Sequence, residues 1–125
     1  MDRLPNFSVE GAGRKHDILN IHVETVTPKN ISIAFTIRKK VFVEEQRVPE
    51  NLEIDEYEDE AIHFLAYVNG KPAGTARMRW LDEHTAKAER VAVIKRFRGS
   101  GIGRVLMDAL EAAAKHRQAK IIVLH

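Results

Sequence analysis

With 125 residues, 44% of them hydrophobic and 30% charged, the chain is long enough for one core and too apolar for intrinsic disorder. It has no cysteine, which excludes disulfides, thiolate zinc sites and a cysteine nucleophile. A formal net charge of +2 does not argue for a nucleic-acid partner, and no run approaches the ~20 apolar residues of a membrane span. Residues Met1–Asn20 carry no apolar signal-peptide core and no regular periodicity, so they read as a flexible extension, with a single domain over residues 21–125 expected in the cytoplasm. Ile21–Val26 alternates apolar and polar and predicts a first strand. Thr27-Pro28 predicts a helix start, Thr27 as N-cap and proline in the first turn, and the spacing of Ile33, Ala34, Ile37 and Val41 carries that helix to about Phe42. Pro49 prevents its continuation. Residues 53–60, EIDEYEDE, hold six acids in eight positions and read as a solvated loop or helix face.

Ile62–Val68 predicts a strand, and Asn69-Gly70 after it is the strongest short hairpin signal, because a type I′ turn needs two positive φ angles. The return strand, Lys71 to about Leu81, puts Ala76, Met78 and Trp80 on one face and Thr75, Arg77 and Arg79 on the other. Ala86–Val93 completes an antiparallel meander. The clearest helix follows, with Ile102, Val105, Leu106, Ala109, Leu110 and Ala113 on one stripe. Lys120–Leu124 is short, β-branched and apolar, and reads as a strand parallel to the one before the helix. The fold class is mixed α/β.

Between the last two strands lies VAVIKRFRGSGIGRVLM, Val91–Met107, a strand entering a basic, glycine-rich loop that opens a helix. Backbone N–H groups and the positive end of the helix dipole make such a junction an anion seat, and glycines at 99, 101 and 103 let phosphate oxygens approach the backbone. Lys95, Arg96, Arg98 and Arg104 add positive charge. The spacing excludes a P-loop, since Arg104-Val105 follows Gly103, and it excludes the dinucleotide fingerprint, since the required third glycine falls on Arg104 or Leu106. Arg98-Gly99-Ser100-Gly101-Ile102-Gly103 instead resembles the (R/Q)-x-x-G-x-(G/A) pyrophosphate loop of the GNAT superfamily of N-acetyltransferases. Ile37-Arg38, Val41-Phe42-Val43, Glu45-Gln46, Val48-Pro49 and Asp59-x-Ala61-x-His63 resemble a bacterial YjcF-like branch of that superfamily.

The resemblance, which spans residues 21–125, implies the GNAT acyl-CoA N-acyltransferase fold: the meander, then a parallel strand pair splayed around acetyl-CoA. It implies that acetyl-CoA is the cosubstrate, that no metal is needed, and that Val91, Ala92 and Val93 hold the pantetheine arm as an added strand. The pyrophosphate falls to Arg98, Gly99, Ser100, Gly101, Ile102, Gly103 and Arg104. Glu89, on the strand beside the cofactor and on the face expected for Val91 and Val93, is the candidate catalytic base, or else an ion-pair partner of Arg90 or a neighbouring lysine. Main-chain N–H groups near Val91 are the candidate oxyanion donors. His63 reads as a hydrogen-bonded structural histidine or an acceptor-site residue, Met78 and Trp80 as core. Arg77 and Arg79 read as a solvated strand face or as ligands of an acidic acceptor, and Glu44, Glu45 and the acidic run as an attractor for a cationic amine.

The family ordinarily continues past the fifth strand with a helix bearing the tyrosine that protonates the thiolate, then two strands; neither Tyr57 nor Tyr67 matches it. The resemblance therefore implies a domain incomplete at the C-terminus, with the general acid beyond His125 and a last strand that pairs with a second copy as a homodimer or aggregates. The expected activity is direct acetyl transfer to a small-molecule or protein primary amine within a ternary complex, with no nucleic acid and no membrane as partner. A non-catalytic acyl-CoA-binding module and a structural domain with a tight glycine turn are the alternatives.

Overall fold

The computed structural model describes residues 7–14 and 17–124. Strands β1 (Phe7–Arg14), β2 (Asp17–Thr25), β3 (Ile62–Val68), β4 (Lys71–Trp80), β5 (Thr85–Val93) and β6 (Ile121–Leu124) form one sheet in sequence order. Neighbours are antiparallel as far as β5, and β6 runs parallel to it, pairing Thr85 with Ile121 through Ala88 with Leu124. The strand expected from Ile21 begins four residues earlier, and β1 pairs with it from Phe7 opposite Val23 to Arg14 opposite Asp17. Part of the segment expected as an extension is therefore strand. Gly11 and Gly13 interrupt the alternation of β1, leaving Phe7 and Val9 in step and the small Ala12 out of step with them.

The predicted hairpin is present, with φ +50° at Asn69 and +81° at Gly70. The first helix differs from expectation. Residues 28–30 form a turn in which the Asn30 Oδ1 accepts the Thr27 N–H at 2.7 Å, and α1 runs from Ile31 to Arg38. A short polar side chain bonding the backbone competes with helix at this position. The chain then continues as a π-helical segment, Lys39–Glu45, past the predicted end at Phe42. Pro49 precedes a single turn, α2 (Glu50–Glu53).

Helix α3 (Ile102–His116) covers one face of the sheet with the predicted stripe, meeting Ile21, Val23, Phe64, Ala66, Ala76, Met78, Ala86 and Ala88. Helix α1 and the π-helical segment cover the other, where Ala34, Ile37 and Val41 meet Leu65 and Ala92. Gly74 lets α3 close on β4: a Cβ there would lie 3.0 Å from the Ala92 carbonyl oxygen, the Ile102 Cγ2 and the Leu106 Cδ1.

Strand β5 is not regular. Thr75 pairs with Ala92 and Arg77 with Glu89, so Ala76 stands opposite both Arg90 and Val91, and Arg90 has φ +54°. This is a β-bulge, and the extra residue reverses the side-chain alternation beyond it. Glu89 faces the α1 side with Arg77, whereas Val93 packs toward α3. The shared face expected for Glu89 and Val93 is thereby corrected.

Candidate active site

After β5 the chain makes one 3₁₀ turn, Lys95–Phe97, and reaches α3 through Gly99 and Gly101, both with φ +85°. No side chain caps α3. Among the described residues, the backbone N–H groups of residues 99–104 have no acceptor, while the flanking Arg98 N–H bonds the Lys95 carbonyl and the Val105 N–H the Gly101 carbonyl. Unmet donors at a helix start are a seat for an anion. The two loop glycines are demanded by their backbone conformation. Gly103 is not: it lies inside α3 without a positive φ, and a Cβ on it would meet nothing within 4 Å. Neither strain nor packing within the chain calls for glycine there, but a ligand lying against the backbone would. Lys95, Arg96 and Arg104 stand exposed around this seat.

The sequence-predicted Val91, Ala92 and Val93 lead into the loop. β6 pairs with β5 only as far as Ala88, so among the described residues β4 is the only strand paired with 89–93. Ala92 bonds inward, and the Val93 carbonyl points along the outer edge to the Arg98 Nε at 3.0 Å. The Arg98 Nη2 reaches both carboxylate oxygens of Glu45, at 3.0 and 2.9 Å.

Glu89 sits deeper, 3% exposed. Its Oε1 accepts from the Arg77 Nε at 3.1 Å, from the Arg77 Nη2 and from the Arg79 Nε at 2.7 Å, and the Lys87 ammonium is 3.4 Å from its Oε2. Burial alone would push its carboxyl up, but the two arginines outweigh it and hold Glu89 below the usual carboxylate range. The partners are thus Arg77, Arg79 and Lys87. Arg90, proposed from sequence, turns to the Glu53 carbonyl and to Asp55.

Arg77 is 1% exposed, so a solvated strand face is not what its side chain forms. It bridges Glu89 to Asp55 at 2.7 and 3.0 Å and to Glu58 at 3.0 Å. Arg38, fully buried, binds Glu53 at 2.6 Å and Glu58 at 2.7 and 2.8 Å. The acidic run is therefore not simply a solvated face: Glu53, Asp55 and Glu58 turn inward onto arginines of α1, β4 and β5. Opposing the effect of burial, the Arg77 hydrogen bonds lower the Asp55 carboxyl to about 2. Arg79 lies over the Tyr57 ring, 4.0 Å from its centre.

His63 is 5% exposed; its Nε2 pairs with the Glu58 carbonyl at 3.0 Å and its ring meets Phe35 edge-on. Burial holds its imidazole below the ordinary value. This is the structural histidine of the two readings. Met78 is buried and Trp80 partly buried in the cluster beneath α3, as expected for core.

Sequence reasoning missed the contact of Glu45 with Arg98 and the inward turn of the acids. Neither has a local signal, since the partners lie 15 to 53 residues apart.

No helix among the described residues is long and apolar enough to cross a membrane. Residues 21–125 match the acetyltransferase (GNAT) family. The chain is 44% identical over 92 residues to the uncharacterized N-acetyltransferase YjcF of Bacillus subtilis (strain 168), covering 74% of this chain and 65% of YjcF. It is 40% identical over 109 residues to BSU40680 of the same organism, covering 84% and 74%. It therefore spans about two thirds to three quarters of these relatives. The crystal structure of a GNAT family acetyltransferase from Elizabethkingia anophelis with acetyl-CoA bound superposes with a TM-score of 0.69 at 23% identity, over 83% of this chain and 63% of that one. A glycine-rich junction with unmet donors, a bulged strand beside it and a match over residues 21–125 agree, and the chain belongs to the GNAT acetyltransferase family.

Proposed function

We propose that this chain binds acetyl-CoA and belongs to an enzyme that transfers the acetyl group directly to a primary amine. The observation that carries the reading is the run of unmet N–H donors at residues 99–104, together with the open space above Gly103. In it, the backbone of Gly99, Ser100, Gly101, Ile102, Gly103 and Arg104 receives the pyrophosphate, and Arg98 contributes charge. The outer edge of Val91, Ala92 and Val93 receives the pantetheine arm by main-chain pairing. Acetyl-CoA supplies an activated acyl thioester, so the chain itself needs neither a metal nor a nucleophile.

The bulge at Arg90–Val91 removes one residue of β5 from the ladder, which supports an oxyanion-donor role for the main chain near Val91. Glu89 is assigned a different task from base. A carboxylate held by two arginines and a lysine accepts a proton poorly, and in this reading it fixes Arg77 and Arg79 beneath the site.

The same observation favours one second reading, an acyl-CoA-binding module without transferase activity. Calorimetric titration with CoA and acetyl-CoA tests binding, with saturable binding expected. Thiol release across a panel of primary amines, run on this chain and on the full-length gene product, separates the two. Amine-dependent release supports the transferase; binding without release from either protein supports the module; no binding removes both.

A further inference from the structure

We propose that Glu45 and Arg98 form a latch across the cofactor edge: the Glu45 carboxylate occupies the arginine that the ligand's phosphate must recruit, so Glu45 limits the affinity of the site. The inference rests on the acetyl-CoA reading of the loop.

Two walls meet at this pair. Arg98 opens the run of unmet donors at 99–104. Glu45 ends the π-helical segment, whose Val41 packs with Ala92 of β5. Arg98 is held at both ends: its Nε takes the outward carbonyl of Val93, and its Nη2 contacts both oxygens of Glu45. In this position the side chain lies along the part of β5 that has no outer strand among the described residues. It uses a main-chain acceptor that an added strand would need, and its charge is already neutralised.

The pair is exposed, 43% for Arg98 and 36% for Glu45. Exposed ion pairs contribute little to folding, and a doubly charged diphosphate competes well for one guanidinium. Ligand entry therefore exchanges carboxylate for phosphate on Arg98 and leaves Glu45 as an unpaired like charge beside the ligand. That repulsion weakens binding at low ionic strength and is screened by salt.

The test is CoA binding by the 125-residue chain and by Glu45→Gln, Arg98→Ala and the double variant, at low and high salt. Glu45→Gln is expected to bind CoA about three- to tenfold more tightly at low salt. The gain should vanish near 1 M salt, where the Debye length is only about 3 Å. On the Arg98→Ala background the competition for the guanidinium is gone and only the direct repulsion by Glu45 is left, so the gain should be smaller there than in the parent chain. An equal gain would mean that repulsion alone limits binding and would overturn the latch. The thermal midpoint should hardly move in either case. If the parent chain binds CoA and Glu45→Gln binds equally or less well, the latch is overturned and Glu45 is a positioning residue for Arg98. If no variant binds CoA, the cofactor reading fails and the latch with it; binding by Glu45→Gln alone supports both.

Discussion

Two polar regions lie on either side of the bulge in β5, and they differ in what their groups lack. At residues 99–104 the backbone donors have no partner within the described chain, and all of these residues but the buried Ile102 are exposed or half-buried. Around Arg77, buried charges from α1, β4, β5 and the acidic loop satisfy one another, with Glu89 accepting from two arginines at once. The second region has more charge, more burial and more displaced titrations, the marks by which active sites are commonly sought. Yet its charged groups are occupied by the protein itself, and the buried Nδ1 of His63 beside them is the exception without a hydrogen-bond partner. The first region has exposed cations and unmet capacity, and unmet capacity is what a ligand requires.

The largest expected effect breaks the buried region. Arg77→Ala leaves Asp55, Glu58 and Glu89 without their common cation, and denaturant unfolding should show a loss of about 3–5 kcal/mol, or no folded chain. Gly103→Val should do the opposite: CoA affinity falls at least ~100-fold while the unfolding midpoint moves little, because a Cβ there points into open space with nothing within 4 Å. Gly101→Val is a poorer probe, since its φ of +85° strains any β-branched residue. Retained CoA binding by Gly103→Val within a few-fold would remove the loop from the cofactor site.

Glu89→Gln sharpens the contrast further. It should lower stability, because the arginines lose a charge, and leave the shape of the pH–rate profile of the full-length enzyme unchanged. A base would instead show a turnover loss of ~10²–10⁴-fold that recovers as pH rises. The smallest effect is in acid. Asp55, Glu58 and Glu89 all have folded values below the ordinary one, so their contribution is present above the ordinary carboxylate range and is lost as pH falls through the lowered values, about 2 for Asp55. His63 is also depressed, beside Glu58, Arg38 and Arg77, so the unfolded chain takes up its proton first and stability already declines below pH 6.5. Urea midpoints from pH 8 to 3 should show both steps, and His63→Phe should abolish the upper one alone.

The glycine loop was legible because its parts are consecutive: three alternate glycines and flanking cations define a backbone conformation within one turn of chain. The meander and α3 were legible for a similar reason, since alternation and the helical stripe are local periods. The ion network was not, because Arg38, Arg77 and Glu89 find partners only after the sheet and the acidic loop have closed on one another. The bulge is a property of the β4–β5 ladder and has no mark in β5 itself; Arg90 is an unremarkable residue for a φ of +54° to fall on. Expecting Val93 on the Glu89 face was a direct result. β1 escaped because glycine carries no side chain to show which face it belongs to.

Gly74 plays a part in the site without facing it. It stands opposite Val93 in the ladder, and the helix rests so closely on it that an ordinary side chain would press on the first turn of α3 and on the Ala92 carbonyl together. The ends of the Ile102 and Leu106 side chains can give by a few tenths of an ångström, but the Ala92 carbonyl is backbone, so Gly74→Ala presses on β5 and on the start of α3 unequally. The bare backbone at position 74 thus acts as a spacer between the strand edge and the proposed phosphate seat, and Gly74→Ala is expected to change that spacing while every residue that would touch the cofactor in the proposed reading stays unchanged.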